Sequence, residues 1–258
     1  MHKARKRFGQ NFLTDEHVIN RIVTSIGLQT SDNLVEIGPG QAALTRELLP
    51  LVDELNVIEL DRDLIPGLET LRAMYPGMSI HSTDALKFDF SSLVKGDEKL
   101  RVVGNLPYNI STPLIFHLLK QSSIIRDMHF MLQKEVVQRM AAVPGDGQNG
   151  RLTIMVQYRC KVENLFIVPP ESFSPRPKVD SAIVRLTPYE TLPFPANNEQ
   201  TLATLVTQAF SQRRKTLRNC VKKLLSAEQI ESVDIDPSRR PETLSVEEFV
   251  SLANLIDE

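Results

Sequence analysis

Apolar residues near the start of the chain recur at the spacing of one face of an α-helix. Thr14 or Asp15 can cap this helix, and Gly27 can end it. The pattern therefore predicts an amphipathic helix ahead of the first strand. Its apolar face would contain Val18, Ile19, Ile22, Val23 and Ile26.

Short β-branched and apolar runs then alternate with helical or loop segments. Such alternation is typical of parallel strands joined by right-handed crossovers, with both faces of the sheet covered. A Pro-rich loop too short for a crossover helix separates the last two strands, so we expect them to pair antiparallel as a hairpin at the sheet edge. The predicted strands are Asn33–Ile37, Leu55–Glu59, Met78–His81, Leu100–Asn105, Met128–Leu132, Asn164–Val168 and Ala182–Leu186.

Prolines and polar residues in Pro188–Asn197 end this alternation and indicate a linker. Beyond the linker the apolar period is helical, with a final helix near Val246–Ile256. The sequence thus predicts an α/β domain in residues 1–189 and a small all-α domain in residues 190–258. One helical face of the second domain would contain Leu202, Leu205, Val206 and Ala209.

A hydrophobic content of 41% in 258 residues can fill a core of this size. No apolar stretch reaches the roughly 20 residues of a membrane-spanning helix. The first ten residues also lack the apolar segment of a signal peptide, so we expect a cytoplasmic protein without a membrane partner. Cys160 and Cys220 have no CxxC spacing and no neighbouring His, so neither a disulfide framework nor a metal site is expected. No long apolar helix stripe lacks an intramolecular partner, which favours a monomer.

The formal net charge of −2 argues by itself against a nucleic-acid partner. The charge is unevenly distributed along the chain, however, and two basic clusters can bind a polyanion. Either cluster taken alone could equally be a solvated face. The clusters contain Lys3, Arg5, Lys6 and Arg7 near the start, and Arg213, Arg214, Lys215, Arg218, Lys222 and Lys223 near the end.

Gly38, Gly40 and Ala43 form a GxGxxA arrangement directly after the first predicted strand and before a helix. Glycines permit a tight turn and a close approach of a ligand to the main chain. Glu59 ends the next strand 21 positions after Gly38, close to the spacing expected of a carboxylate that binds ribose hydroxyls. The pattern predicts a nucleoside site, either for NAD or for S-adenosylmethionine (SAM).

Other residues favour SAM. Asp84, at the end of the third predicted strand, can accept a hydrogen bond from an adenine amino group. No Tyr-Lys pair or catalytic His is arranged for hydride transfer, as a dehydrogenase would need. We therefore predict a Rossmann-like SAM-dependent methyltransferase fold, with a seven-stranded, mainly parallel sheet, an antiparallel edge hairpin and a small all-α C-terminal domain.

Asn105 ends the fourth predicted strand, at the sheet edge where ligands of α/β folds bind. The exocyclic amine of adenine is a poor nucleophile because its lone pair is delocalised into the ring. The Asn105 side-chain oxygen and the Leu106 carbonyl, held outward by Pro107, can accept its two hydrogens and direct the lone pair at the donor methyl. Tyr108 can stack on the base, which contributes about 1 to 3 kcal/mol. Alternatively, these residues form only a strand-exit turn with Tyr108 as core filler.

The sequence closely resembles the KsgA/RsmA and Dim family of ribosomal RNA adenine dimethyltransferases over nearly its whole length. The segments that carry the resemblance occur in the family's order: "RKRFGQNFL", "VEIGPGQAALT", "VIELDRDL", "STDALKFDF", "VVGNLPYNISTPLIFHLL", "MLQKEVVQRM", "FSPRPKVDSAIVRL" and "AFSQRRKTLRN". Gln41 and Arg176 depart from the family pattern without removing a contacting group. Gln41 could alter donor affinity, and Arg176 could add a phosphate contact.

The resemblance implies an enzyme that uses SAM to place two methyl groups on each of two adjacent adenosines. These lie in a hairpin loop near the 3′ end of 16S ribosomal RNA, modified while the small subunit assembles. It implies that the adenine is held by Asn105, Leu106, Pro107 and Tyr108, with Phe173 stacking on its opposite face. Donor contacts would come from Asn11, Leu13, Gly38, Gly40, Glu59, Asp84 and Asn105. RNA phosphates would be contacted by Arg5, Lys6, Arg7, Arg213, Arg214, Lys215 and Arg218.

Three other functions stay open at this point. A resistance-type enzyme that modifies one adenine of large-subunit RNA shares the SAM site and a similar Asn-x-Pro-Tyr motif, but "FSPRPKVDS" and "AFSQRRKTLRN" favour the small-subunit enzyme. A non-catalytic assembly or transcription factor could retain the fold, although an intact Asn105–Tyr108 speaks against it. A dehydrogenase on the same nucleotide scaffold is the remaining alternative.

Overall fold

The structure, a computed structural model, describes residues 11–212 and 214–257, which form two compact units. The first unit extends up to Val137 and includes Glu163–Pro188, whereas the second contains Gln138–Val162 and the residues from Tyr189 onward. The predicted boundary at 189/190 lies next to the division at Pro188. Residues 138–162, however, pack in the second unit although the sequence places them in the first domain. The predicted ranges 1–189 and 190–258 stay a prediction.

The first unit is built on a seven-stranded sheet with the order β4-β3-β2-β5-β6-β9-β7. Strands β4, β3, β2, β5 and β6 run parallel, and β9 pairs antiparallel with β6. All residues of β2 and β3 are buried, as expected of parallel strands covered on both faces. The strands are β2 (Asn33–Ile37), β3 (Leu55–Glu59), β4 (Met78–Ser82), β5 (Leu100–Asn105), β6 (Ile125–Gln133), β7 (Cys160–Val168) and β9 (Ser181–Pro188).

This sheet confirms the predicted α/β fold and each predicted strand. The last two predicted strands do lie next to each other at the sheet edge, with β9 between β6 and β7. Two further strands were not predicted: β1 (Phe12–Leu13) and β8 (Phe173–Ser174) form a separate antiparallel ribbon. A strand of two residues has no periodicity that a sequence pattern can show. The ribbon holds the start of the described chain beside the Pro-rich loop.

Helix α1 (Glu16–Ile26) begins after Asp15, whose carboxylate accepts hydrogen bonds from the amides of His17 and Val18. It ends at Gly27, which has a left-handed φ of 63°. The Ile26 and Gly27 carbonyls at this end accept hydrogen bonds from the buried Arg101 guanidinium. The predicted helix is therefore confirmed, with Asp15 rather than Thr14 as its cap.

Arg101 also connects α1 to the sheet through buried acids. Its guanidinium lies 2.7 Å from Asp32 and 2.8 Å from Asp127, with all three side chains almost fully buried. Removing one partner of such a group is costly, about 3 to 5 kcal/mol, because it leaves a buried charge uncompensated. The network thus holds α1 in a defined position against β5 and β6.

The second unit has a helical core. The predicted apolar face of α7 (Glu199–Ala209) is fully buried, as is most of the inner face of the last helix, α10 (Val246–Ile256), which confirms both elements. Ser226 and Ser245 begin α9 (Ala227–Glu231) and α10 with capping boxes.

The other α-helices of the described chain belong to both units. They are α2 (Ala43–Leu48), α3 (Ile65–Met74), α4 (Ser111–Leu119), α5 (Lys134–Met140), α6 (Arg151–Gln157) and α8 (Leu217–Val221).

Candidate active site

The glycine-rich turn between β2 and α2 depends on glycine at two positions. Gly38 and Gly40 have left-handed φ values of 70° and 59°. A Cβ on Gly40 would also lie 3.2 Å from two atoms of the Phe12 ring. A side chain at Gly40 would therefore be strained in its backbone and crowded by Phe12, and the bare main chain is left open to a ligand.

Glu59, at the end of β3, is connected to this turn by hydrogen bonds. Its Oε2 accepts from the Gly40 amide at 3.2 Å, and its Oε1 accepts from the Asp61 amide at 2.7 Å. Burial raises the pKa of this carboxyl, while the two amides act in the opposite direction. The turn and the end of β3 are thus held together, as the predicted nucleoside site requires.

A cavity of about 320 Å³ lies at the carboxyl ends of β2, β3, β4 and β5. It brings together residues that the sequence predicts for the donor and residues predicted for the target base. Asp84 lies in the loop after β4, and its Oδ1 accepts from the Leu86 amide at 3.0 Å. The predicted residues that line the cavity are Asn11, Leu13, Gly38, Gly40, Glu59, Asp84, Asn105, Leu106, Pro107 and Tyr108.

Asn105 is oriented by the segment that precedes α1. Its side-chain Nδ2 donates to the main-chain carbonyl of Asn11 at 2.9 Å. A carbonyl accepts but cannot donate, so the nitrogen of the amide must face Asn11 and the Oδ1 atom is left as the acceptor. Asn105 is half-buried at the cavity. The arrangement can present a fixed hydrogen-bond acceptor to an amine.

The residues after Asn105 form a tight turn at the mouth of the cavity. The Leu106 amide donates to the Met131 carbonyl of β6 at 3.2 Å, and the Ile110 amide donates to the Pro107 carbonyl at 3.1 Å. The Tyr108 hydroxyl lies 2.8 Å from the Ser181 hydroxyl. Burial raises the pKa of Tyr108, so the phenol is neutral at physiological pH.

Among the described residues predicted to hold the donor or the adenine, Phe173 alone does not line the cavity. Its side chain is 5% exposed and packs in a core with Leu13, to which it is also paired across the β1–β8 ribbon. In this conformation the ring has no face open to a base. Its role opposite Tyr108 stays a prediction.

Several residues line the cavity without having been predicted from the sequence, among them Phe12, Glu36 and His129. Glu36 is the charged residue of a fully buried strand whose other residues are uncharged, and this charge is the signal that could have identified it. Burial raises its pKa to about 8, and its Oε2 has no hydrogen-bond partner among the described residues. Such an atom is an acceptor available to a ligand.

His129 cannot act as a base despite its position. Its Nε2 lies 3.2 Å from the Arg185 Nε, which can only donate, so Nε2 is the acceptor and Nδ1 carries the proton of the neutral ring. Burial, together with the nearby Arg185 and Arg101 cations, lowers the pKa of His129 to about 4, although Asp127 acts in the opposite direction. Neither ring nitrogen is therefore prepared to take a proton from the cavity.

Some of the predicted RNA-contacting residues are described by the structure, and the others are not. Arg214, Lys215 and Arg218 are exposed in the second unit, ahead of and within α8. Arg176 is exposed in the Pro-rich loop and pairs with Glu171. The other predicted contacts lie outside the described residues: Arg5, Lys6, Arg7 and Arg213.

Neither a metal cluster nor a membrane span is found in the part of the chain that the structure describes. Across residues 11–212 and 214–257, no three His, Cys, Asp or Glu side chains come together in a way that could hold a metal ion. No helix in these same ranges is long and apolar enough to cross a membrane. Cys160 and Cys220 are buried, unpaired thiols.

The residues of the cavity fit S-adenosylmethionine on two observations. The glycine-rich main chain beside Phe12 is open where a side chain could not be placed. The buried Glu36 Oε2 and the nearby Glu59 supply acceptors, which suit the donor's ammonium group and ribose hydroxyls.

The family model of ribosomal RNA adenine dimethylases matches residues 1–258 of this chain. The ribosomal RNA small subunit methyltransferase A of Saccharophagus degradans is 62% identical over 255 residues, which cover 99% of this chain and 95% of that protein. The protein of the same name from Pseudomonas aeruginosa is 60% identical over 257 residues, covering 100% and 96%.

Two solved structures extend the comparison. A dimethyladenosine transferase from Plasmodium falciparum has a TM-score of 0.80 at 29% identity, covering 93% of this chain and 95% of that chain. The 23S rRNA methyltransferase ErmE has a TM-score of 0.75 at 23% identity, covering 96% and 100%, and this second likeness shows the fold alone.

These relationships confirm the resemblance seen in the sequence. They also decide between NAD and S-adenosylmethionine, the two ligands that the glycine-rich turn left open, because a dimethylase needs a methyl donor and not a hydride carrier. The chain belongs to the ribosomal RNA adenine dimethylase family, and it is an rRNA adenine dimethyltransferase whose methyl donor is S-adenosylmethionine.

Proposed function

We propose that this enzyme places two methyl groups on the N6 amine of each of two adjacent adenosines, in a hairpin loop near the 3′ end of 16S rRNA. The single observation that carries the chemistry is the hydrogen bond from Asn105 Nδ2 to the Asn11 carbonyl, because it presents Oδ1 as an acceptor. The small-subunit target is supported by relatives named ribosomal RNA small subunit methyltransferase A.

The donor is held by residues from both sides of the cavity. Gly38 and Gly40 provide open main chain, Glu59 binds ribose hydroxyls, and Asp84 accepts from the adenine amine of the donor. Asn11 and Leu13 close the cavity from the segment before α1. When bound, S-adenosylmethionine supplies an electrophilic methyl carbon on a positively charged sulfur.

The target amine is activated by two acceptors. Asn105 Oδ1 and the Leu106 carbonyl each accept one hydrogen of the amine, which turns the nitrogen lone pair away from the ring. Pro107 fixes the turn that presents the Leu106 carbonyl, and Tyr108 provides a flat face for the base. Phe173 would complete the stack only after leaving its core position.

The methylated amine loses its proton to water. The neutral His129, with its Nε2 engaged by Arg185 and its pKa lowered by burial, is not the acceptor. The Tyr108 phenol is also unsuited, because burial raises its pKa. The chemistry therefore rests on positioning of the amine and not on a general base.

The basic residues position the RNA without reading its sequence. The target adenosine must leave its stack to reach the cavity, which costs least in a loop. We place the enzyme in the cytoplasm, acting as a monomer on the assembling small subunit. Phosphates would be contacted by Arg5, Lys6, Arg7, Arg213, Arg214, Lys215 and Arg218.

Mass spectrometry of ribosomal RNA tests the proposal. Purified small or large subunits lacking these methyl groups are incubated with the enzyme and S-adenosylmethionine. We expect the small-subunit RNA to gain the mass of four CH2 units, because each methyl group replaces one hydrogen, and the large-subunit RNA to gain none. Methylation confined to large-subunit RNA would instead identify the resistance-type activity, and no methylation of either would reject the proposed small-subunit target.

A further inference from the structure

Tyr108 and Ser181 are 73 positions apart in the chain, yet their hydroxyl groups are 2.8 Å apart. Tyr108 belongs to the exit turn of β5, and Ser181 is the first residue of β9. We propose that Ser181 is a positioning residue that fixes where the Tyr108 ring lies for stacking of the target adenine. The inference rests on the proposed function of Tyr108.

The Ser181 hydroxyl is a fixed point because its backbone is held on both sides. Ser181 is fully buried and lies in register with Gln133 of the neighbouring strand β6. The preceding carbonyl, that of Asp180, accepts from the Lys134 amide at 3.0 Å, and the Asp180 carboxylate pairs with the Lys134 ammonium group. The serine therefore has little freedom to follow a moving tyrosine.

The near end of the Tyr108 side chain is held as well. The Ser111 hydroxyl donates to the Tyr108 carbonyl at 3.2 Å, and the Pro107 carbonyl accepts from the Ile110 amide. The hydroxyl oxygen lies on the Cβ–Cγ axis of the ring and moves when the Cα–Cβ bond rotates, so holding the backbone at one end and the hydroxyl at the other fixes the long axis of the Tyr108 ring. Rotation away from it would leave the buried Ser181 hydroxyl without its partner.

A fixed ring matters for the rate because stacking helps to place the amine before the methyl is transferred. Pre-organised groups lower the entropic cost of reaching a reactive geometry. Loss of the Tyr108–Ser181 hydrogen bond should therefore slow methylation about 3- to 10-fold, which is the range expected for one neutral hydrogen bond. Donor affinity should not change, because Ser181 does not line the cavity.

A double-mutant cycle with the full-length enzyme tests the inference. Ser181→Ala and Tyr108→Phe remove the same hydrogen bond from opposite ends, so either variant suffices if the other does not fold. Single-turnover methylation of small subunits is measured at saturating S-adenosylmethionine, with donor affinity measured by calorimetry. We expect each single variant to lose about 3- to 10-fold in rate, and the double variant to lose no more than either alone.

Two controls separate a positioning role from a general loss of stability. Ser25→Ala removes a half-buried hydroxyl that bonds the Ile22 carbonyl inside α1, and it should leave the methylation rate unchanged. Tyr108→Ala removes the stacking face and should nearly abolish methylation. If Tyr108→Ala is inactive while Ser181→Ala and Tyr108→Phe keep the wild-type rate, only the positioning role fails.

Additive losses in the cycle would also overturn the positioning role, because two independent effects would then be acting. If Tyr108→Ala itself methylates at the wild-type rate, the stacking role in the proposed function fails with it.

Discussion

The side-chain nitrogen of Asn105 donates to the main-chain carbonyl of Asn11 at 2.9 Å, which sets the orientation of the amide. Both residues line the cavity: Asn105 ends β5, and Asn11 precedes the β1–β8 ribbon. A main-chain carbonyl, and not another side chain, therefore orients the Asn105 amide. Asn105, the residue proposed to activate the amine, is thus held by the segment that precedes α1.

Asn105→Asp should therefore inactivate the enzyme although the shape of the side chain is almost retained. A carboxylate cannot donate to the Asn11 carbonyl, so two acceptors would face each other and the side chain would turn away. We expect methylation of small subunits to fall by about 100-fold, measured by incorporation of labelled methyl groups. Asn164→Ala, at an exposed position of β7, is the control and should keep the wild-type rate.

Gly40→Ala should weaken donor binding and lower stability together. The left-handed φ of 59° is unfavourable for alanine by about 1 to 2 kcal/mol, and its Cβ would lie 3.2 Å from the Phe12 ring. Thermal unfolding and calorimetric titration with S-adenosylmethionine measure the two effects. Gly67→Ala is the matched control, because Gly67 lies inside α3 and a Cβ there meets nothing within 4 Å. This variant should be slightly more stable than the wild type.

The sheet could be predicted because its strands are continuous apolar runs, and the site because Gly38, Glu59, Asp84 and Asn105 all follow such runs. Carboxyl ends of parallel strands meet at one edge, so the sequence order was enough to bring these residues together. The predicted start of β6 at Met128 was late. Arg126 and Asp127 look like loop residues, and the burial of Asp127 depends on Arg101, which is 26 positions away.

Residues whose role depends on long-range packing could not be found in this way. Phe12 lies where a side chain on Gly40 would meet it, and a ribbon of two-residue strands that leaves no sequence pattern places it there. Phe173 belongs to the same ribbon and is buried in the core. The charge of Glu36 within β2 could have been noticed, but its burial and its place at the cavity are not visible in the sequence. The position of residues 138–162 in the second unit likewise depends on packing and not on local composition.

Glu36→Gln should change how stability depends on pH. Burial raises the pKa of Glu36 to about 8 in the folded protein from 4.5 in the unfolded chain, so the folded state binds more protons between these values. The wild-type protein must then lose stability as pH rises from about 4.5 to 8, whereas the amide contributes no such slope. Urea unfolding of the donor-free protein should show Glu36→Gln gaining on the wild type by a few kcal/mol over this range.

The range from pH 6.5 to 8.5 isolates Glu36 in that experiment. Burial lowers the pKa of His129 to about 4, so its contribution to stability is lost only as pH falls from 6.5 toward 4. The matched control is Glu47→Gln, at an exposed position of α2, which should follow the wild-type profile. Parallel profiles for Glu36→Gln and wild type above pH 6.5 would contradict a buried, protonated Glu36.

Replacing Arg214, Lys215 and Arg218 with glutamine should weaken RNA binding and flatten its salt dependence. Each cation that neutralises a phosphate releases counterions, so losing three contacts should lower the slope of log K against log salt by about 2. Filter binding of the target hairpin over a salt series measures the slope. Donor affinity should be unchanged, because these residues are exposed in the second unit and do not line the cavity. Lys120→Gln, an exposed cation of the first unit, is the control, and a slope that stays at the wild-type value in the triple variant would remove the cluster from RNA binding.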